Sequence, residues 1–411
     1  MERSILHVDM NNFYASVECM LNPKLRDKAI AVCGSVEERH GIVLAKNYKA
    51  KAFGVATGDA IWQAKQKCPN LTIVPPHYEQ YMKYSRLARN IYERYTDQVE
   101  PYGMDECFLD VTGSTGFGTG FEIADEIRRT IKFELGLTVS AGVSYNKIFA
   151  KLGSDLKKPD AITCISRDSF KEQIWNLPAS DLLGVGRATT KILDNYCIHT
   201  IGQLAQCPED LLKRKLGKNG LMLKAYANGQ DHSPVHRTDY QFPVNSIGHG
   251  LTTPQDLENN AEVWNIILSL TQDIGHKLRT IGKKAAGVAI YIRDSELHGK
   301  QWQCQLTMQT YSSSIIAKEA YLLFERSYNW NLPIRAVTVR AINLVPLEFP
   351  EQIQFFSDPV RVEKKEKLET TIEEIRARFG KSSILPATLF QNLKMPTDRE
   401  VELAMPHGMI F

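Results

Sequence analysis

The sequence predicts an α+β fold shared among several domains, and three observations carry that prediction. Over the first 165 residues, short apolar strand runs alternate with helical patterns, which places a sheet and its helices in one unit. After Cys164 the texture changes to short helical pieces separated by glycine turns. Beyond a proline-bearing stretch at 232–243, three further alternating runs mark a separate mixed domain. A length of 411 residues accommodates three or four such units.

The elements follow in order. The run SILHV at 4–8 reads as a buried strand that delivers Asp9 at its carboxyl end. Asn47, then YKAKAF, then Gly54 reads as an N-capped short helix with a C-terminal glycine, and Asp59 opens another helix. An amphipathic helix is expected from Tyr78 to Tyr95; Pro101 and Gly103 break the chain before CFLDV, the second strand. A glycine-rich loop at 114–120 leads to a helix from Phe121 to Leu135, then to the strand LTVSAGVS and a helix that begins near Asn146 and is closed by Pro159. Short helices carry the chain through WNLPASDLLGVGRATTKILDNY to Gly229, and DHSPVHRTDYQFPV suits an extended linker. A helical run from Ala261 to Thr280 and the strands AAGVAIYIR, WQCQLTMQ and RAVTVRAINLV form the last folded domain. A polar tail follows with one helix, Val362 to Phe379.

Hydrophobic content of 43% and charged content of 24% exclude disordered, coiled-coil and membrane classes. The net charge of +3 and a pI near 8.3 do not identify a partner, because an acidic cluster and a basic surface cancel in the total. Eight scattered cysteines with no CxxC pair read mostly as buried thiols. The start MERSILHVDM lacks the apolar stretch of a signal peptide and no run approaches membrane-spanning length, so a cytoplasmic location is expected.

Three carboxylates attract notice. Asp9 ends one strand and Asp105-Glu106 begins another, so neighbouring strands would bring all three together. Transfer of a nucleotidyl group needs charge neutralised on the attacking oxygen, the phosphorus and the leaving group, which two metal ions roughly 3.5–4 Å apart accomplish on such a carboxylate set. An isolated carboxylate reads instead as a turn cap or a solvated loop residue, and only the neighbouring residues decide between these.

Those neighbours are DMNNFYASVE at 9–18, AKNYKAKAFGVATGD at 45–59, YGMDECFLDVTGS at 102–114 and SAGVSYNKIFAKLGSDLKKPD at 140–160. In order and spacing they resemble the motifs of the Y-family DNA polymerases; the resemblance covers about residues 1 to 350 and is strongest over the first 165. It implies a right-hand polymerase with a palm (1–22 and 77–167), fingers (23–76), a thumb (168–231), a linker (232–243), a little finger (244–347) and a C-terminal tail (348–411). It further implies error-prone, template-directed DNA synthesis past damaged bases, as in DNA repair and the SOS response. Asp9, Asp105 and Glu106 match the catalytic metal ligands and the Met10 carbonyl adds a ligand; the cofactor is two Mg2+ ions, with Mn2+ as substitute. Phe13 and Tyr14 match the pair whose backbone amides meet the triphosphate, and Tyr14 matches the steric gate, a ring beneath the sugar that leaves no room for a 2′-hydroxyl. Tyr48, Lys51 and Lys158 match triphosphate-binding positions. Two departures stand out: lysine at 51, where many members carry arginine, and Ala45, where many carry a hydroxyl residue. Lys51 together with Asn11 is more similar to the catalytic subunit of bacterial DNA polymerase V than to polymerase IV. Gly103 departs from a common serine.

LLGVGRATTKIL at 182–193 reads as a helix-hairpin-helix in which Gly184, Gly186 and Arg187 would hold a DNA phosphate. Lys283, Lys284, Arg335 and Arg340 lie on or beside strands of the last domain and are expected to meet the DNA backbone; scattered surface charge is the competing reading. Gln352, Phe355 and Phe356 give the segment at 352–356 the character of a sliding-clamp-binding peptide. The expected partners are primer–template DNA, dNTP and a sliding clamp, on a monomer. A nucleotide cyclase on a palm-like sheet would leave the hairpin and the last domain unused. A catalytically weak DNA-binding adaptor of the same family would have lost metal ligands, and all three are present.

Overall fold

The computed structural model describes residues 2–37, 39, 41–350, 358–380, 383–390 and 394–395. The chain divides into two compact units, the first holding residues up to Gly34 and Ile42–Phe242, the second holding Ser35–Gly41 and the residues from Pro243. In the first unit the strands are β1 (Ile5–Met10), β2 (Ile30–Cys33), β3 (Val43–Lys46), β4 (Thr72–Val74), β5 (Val99–Pro101), β6 (Glu106–Asp110), β7 (Val139–Ser144) and β8 (Ile162–Ile165). Five of them form one sheet in the order β5-β6-β1-β7-β8, and the other three form a small sheet in the order β3-β2-β4.

Strand β1 is buried along its whole length because it lies mid-sheet with antiparallel partners on both sides and cover on both faces. Alternation then sorts its side chains. Leu6, Val8 and Met10 enter the core formed with Tyr81, Ile91, Ile123 and Ile127 from the helices Tyr78–Tyr92 and Gly120–Thr130. His7 and Asp9 point to the opposite face, which the helix Lys147–Leu156 covers. That helix starts on Asn146, whose Oδ1 accepts from the Phe149 N–H at 2.8 Å. It lies directly on the β7 backbone, since a Cβ added at Gly142 would meet the Ala150 carbonyl oxygen at 1.9 Å and the Ser154 nitrogen at 2.6 Å.

In the small sheet, Asn47 caps the helix Tyr48–Ala52 through the Ala50 N–H at 3.0 Å and Gly54 takes a φ of 81°, as expected for the cap and the terminal glycine. The strands β2 and β4 had no periodic signature, being three or four residues long. The helical module packs Leu193, Ile201, Leu204, Leu212 and Leu223 into its own core. Its glycine hairpin has Gly184 at φ 92° and Gly186 at the start of the helix Arg187–Asp194, but only a short 3-10 turn, Ala179–Asp181, precedes it in place of a first helix. The linker is extended and pinned. Glu100 on β5 accepts from Lys147 Nζ at 2.6 Å and from the His236 backbone N–H at 2.8 Å, and the Thr238 N–H donates to the Asp97 carbonyl at 3.0 Å.

The second unit has a four-stranded antiparallel sheet, β9 (Ser246–Leu257), β10 (Lys283–Asp294), β11 (Gly299–Thr310) and β12 (Ile334–Pro346), in the order β11-β10-β12-β9. The helices Asn260–Thr280 and Ser313–Ser327 bury Ile266, Ile274 and Phe324 against Val288, Ile290 and Val339. The three expected strands and the first of these helices are present; β9 and the second helix went unread. Strand β9 pairs only with β12, and as an edge strand it tolerates Gly248, Gly250 and Pro254, which hide its alternation. The tail helix runs Pro359–Phe379. Of the eight free cysteines, Cys33, Cys68, Cys107 and Cys207 are buried, whereas Cys164 and Cys197 are exposed, so burial explains only half of them. No helix among the described residues is long and apolar enough to cross a membrane.

Gly142→Ala is expected to destabilise the first unit by about 3 kcal/mol or more, because helix backbone rather than a side-chain tip must move. Denaturant midpoints for the two proteins check this.

Candidate active site

The antiparallel register pairs Asp9 on β1 with Glu106 on β6, so both carboxylates stand on one face of the sheet. Asp105 sits just before β6, and its carbonyl accepts from the Met10 N–H at 3.0 Å, which ties it to the end of β1. All three acids, distant in sequence, therefore meet at one sheet end, with the Met10 backbone among them.

Two lysines from the helix and the turn after it meet these acids. Lys151 Nζ lies 2.7 Å from Glu106 Oε1 and 3.6 Å from Asp9 Oδ2, and Lys158 Nζ lies 2.7 Å from Asp9 Oδ2. Both also pair with Asp155, at 3.3 and 2.9 Å. Burial, then the charge of Glu106, pushes Asp9 up to about 7, and the same two causes push Asp105 up to about 6. Burial also opposes the charge on Glu106, but the neighbouring His7 ring and then the Lys151 ammonium outweigh it and hold that carboxyl below its usual range.

His7, fully buried, lies behind Glu106. The Ser154 hydroxyl donates to the Lys151 carbonyl at 2.7 Å and lies 2.8 Å from His7 Nδ1, so it links the imidazole to the helix that carries Lys151. The His7 Nε2 faces Glu106 Oε2 at 3.6 Å, just beyond hydrogen-bond distance, and has no other partner among the described residues. Burial lowers His7 to about 4, so it is neutral near pH 7.

Among the described residues no three His, Cys, Asp or Glu side chains are already gathered as a metal cage. Lys151, within 4 Å of both Asp9 and Glu106, stands where such a cage would close. The donor set is nonetheless carboxylate and carbonyl oxygen beside compensating positive charge, which fits a hard dication such as Mg2+ or Mn2+.

An aromatic floor adjoins the acids. Asn12, with a left-handed φ of 48°, turns the chain from β1 into the helix Phe13–Leu21. Phe13 is buried, whereas Tyr14 is half-exposed with its ring stacked on Tyr81 at 4.2 Å and 8°. The Tyr14 hydroxyl donates to Met104 Sδ at 3.6 Å, and burial, then the charge of Asp105, push the phenol up to about 12. The Tyr81 hydroxyl donates to buried Glu18, which also meets His77 Nδ1 at 2.9 Å. Tyr48 feels Lys158 and Asp9, and Lys51 Nζ lies 5.7 Å above the Tyr48 ring.

Sequence reasoning passed over Lys151, His7, Ser154, Tyr81 and Glu18. One signal was present: Lys147, Lys151 and Asp155 recur every four residues, a single helical face, with Lys158 just beyond it. The basic residues of the second unit are mostly engaged within it. Lys283 donates to the Val244 carbonyl at 3.1 Å, Lys284 pairs with Glu366 at 3.5 Å and Arg335 with Asp256 at 3.5 Å. Arg340 is exposed and lies across Gly248, where a Cβ would come within 3.3 Å of its Cγ. Gln352, Phe355 and Phe356 lie outside the described residues.

Comparisons with known proteins place the chain in a family. Residues 8–155 match the impB/mucB/samB family, and residues 244–355 match the C-terminal domain of that family. Similar proteins include DNA polymerase IV of Acetivibrio thermocellus, 51% identical across 95% of this chain and 98% of that protein. DNA polymerase IV 1 of Bacillus subtilis is 37% identical across 92% of this chain and 91% of its own length. A solved Y-family DNA polymerase chimera, Dbh-Dpo4(243-245)-Dbh, shares the fold with a TM-score of 0.73 at 23% identity, over 84% of this chain and 99% of that one.

The raised Asp105 value has a thermodynamic consequence. A carboxyl whose folded-state pKa exceeds its unfolded value destabilises the fold progressively as pH rises between the two, here from about 4 to about 6. Asp105→Asn is thus expected to stabilise the metal-free protein at pH 7.5 by up to roughly 3 kcal/mol and to give no gain near pH 4. Chemical unfolding in chelator at both values checks this, and an equal difference at the two would contradict it.

Proposed function

The chain belongs to the Y family of DNA polymerases, and from that premise we propose that Asp9, Asp105 and Glu106, with the Met10 carbonyl, hold two magnesium ions, or manganese in their place. The protein is a DNA-directed DNA polymerase that synthesises past damaged template bases. The observation that supports the ligand set is the facing of Asp9 and Glu106 across adjacent strands, with Asp105 tied to Met10 beside the Tyr14 ring.

Held by these carboxylates, divalent ions would supply Lewis acidity toward the primer 3′-hydroxyl and charge neutralisation for the leaving pyrophosphate. The chain's own residues supply the rest. Asp9, Asp105 and Glu106 would hold these ions at the end of the sheet, beside the start of the helix that receives the triphosphate. The amides of Phe13 and Tyr14, at the start of a nine-residue helix, face the triphosphate, with Lys158, Lys51 and Tyr48 adding charge and a hydroxyl donor. Lys158 would exchange Asp9 for a phosphate oxygen. Tyr14, braced by its stack on Tyr81, excludes a 2′-hydroxyl from the sugar site. Ala45, Ala50, Gly54, Val55, Ala56 and Gly58 form a light lid over the nascent pair, which admits damaged bases at the expense of fidelity.

The five-stranded sheet with its helices serves as the palm, the three-stranded sheet as the fingers, the helical module as the thumb and the second unit as the little finger. Gly184, Gly186 and Arg187 of the thumb and Arg340 of the little finger contact the DNA backbone; Lys283, Lys284 and Arg335 would do so only by leaving their present partners. The likeness of Lys51 and Asn11 to polymerase V gives way to the whole-chain similarity to proteins named DNA polymerase IV, so we read the chain as the polymerase IV type. It works as a cytoplasmic monomer on primer–template DNA and dNTP, docked to a sliding clamp.

Primer extension with magnesium on intact and damaged templates tests this reading. Asp105→Ala and Glu106→Ala are each expected to lose activity on the order of 10³-fold, and robust extension by both would remove the assigned ligands. In the same assay, Tyr14→Ala is expected to raise ribonucleotide use roughly 10- to 100-fold. Replacing Phe355 and Phe356 with alanine is expected to abolish clamp-stimulated processivity and spare distributive synthesis; equal loss of both would count against docking.

A further inference from the structure

We infer that Lys151 is a positioning residue that fills the cation seat between Asp9 and Glu106, keeping the affinity of the free enzyme for divalent ions low until the nucleotide arrives with its own negative charge. The inference rests on the assignment of these carboxylates as metal ligands.

The backbone of Lys151 is fixed from three directions. Its helix is pressed on β7 at Gly142, with the Ala150 carbonyl one residue before Lys151 at the point of contact. Asn146 anchors the helix start, accepting from Phe149 N–H and donating through Nδ2 to the Gly229 carbonyl at 3.2 Å. The Lys151 carbonyl accepts from Ser154, which His7 holds from below. With the backbone held, the surrounding carboxylates select the position of the ammonium. The one it takes lies 2.7 Å from Glu106, 3.3 Å from Asp155 and 3.6 Å from Asp9, largely out of solvent.

Lys158 differs. It follows the end of the helix at Leu156 and, among the described residues, pairs with two carboxylates, Asp9 and Asp155, so it can swing to an incoming phosphate. Lys151 stays on the helix and is held by three, Glu106, Asp155 and Asp9. A dication approaching Glu106 meets a like charge and a lone pair already committed to an N–H donor, both of which weaken its binding. The triphosphate reverses the balance, because its negative charge offsets the ammonium and adds oxygens to the coordination sphere. His7 Nε2 stands 3.6 Å from Glu106, beyond hydrogen-bond distance, so the close contact to that carboxylate is the one from Lys151 at 2.7 Å.

The experiment is Mn2+ titration of the full-length protein, without DNA or nucleotide, following free Mn2+ by electron paramagnetic resonance. Wild type, Lys151→Met, Lys151→Gln, Lys151→Arg and Glu106→Gln are compared. Lys151→Met and Lys151→Gln are expected to bind Mn2+ at least tenfold more tightly than wild type, Lys151→Arg to match wild type, and a nonhydrolysable nucleoside triphosphate to erase most of the difference. A purely structural lysine would lower thermal stability without tightening Mn2+ binding. Unchanged or weakened affinity in whichever neutral variant folds overturns the inference about Lys151. Glu106→Gln is expected to weaken Mn2+ binding at least tenfold; unchanged affinity there overturns instead the assignment of the carboxylates.

Discussion

Asp9 and Glu106 face each other because β1 and β6 are antiparallel neighbours held in one register, and the rest of the site is built around that pairing. A slip of one residue along either strand would send a carboxylate into the apolar core and bring a core side chain to the site. The register resists such a slip because Leu6, Val8 and Met10 on one strand and Cys107 and Leu109 on the other are buried on the opposite face. The hydrophobic core thus positions the polar site through strand alternation, with no contact between the two faces required.

The resulting electrostatics work against the fold and in favour of the chemistry. Buried acids at one sheet end repel one another and are poorly solvated, which is why Asp9 and Asp105 hold protons more tightly than free carboxylates. Lys151 and Lys158 relieve part of this, and divalent ions would relieve more. Strain of this kind is common where a protein must bind a concentrated positive charge and later release it. The aromatic side of the site is held differently: Tyr14 gains its orientation from the parallel Tyr81 ring, and Tyr81 from the buried Glu18 carboxylate on the same helix as Tyr14.

Within the second unit, the polar contacts have a comparable role. Glu366, Glu369 and Glu373, spaced along one face of the tail helix, accept from Thr310, from Ser312 and from Arg279. Lys284 is drawn into this seam, whereas Arg340 stays on the exposed sheet surface over Gly248. Basic residues that look equivalent along a strand therefore differ in their freedom to meet a polyanion.

Composition, strand runs and helix caps were legible in the sequence because they depend on near neighbours: the strand ending at Asp9, the Asn47 and Asn146 caps and the Gly184 hairpin are where local chemistry puts them. The metal-ligand candidates were legible too, through motifs whose residue types the chemistry demands. Local pattern could not reveal the edge strand β9, whose glycines and proline break alternation and whose pairing with β12 spans some eighty residues. Nor could it show that Gly142 lets a helix rest on bare backbone, or that Lys151 and Glu18 complete the site from other elements. Those features arise only when distant segments share a register and a face, since hydrogen bonding and burial are decided by what the fold brings alongside each residue.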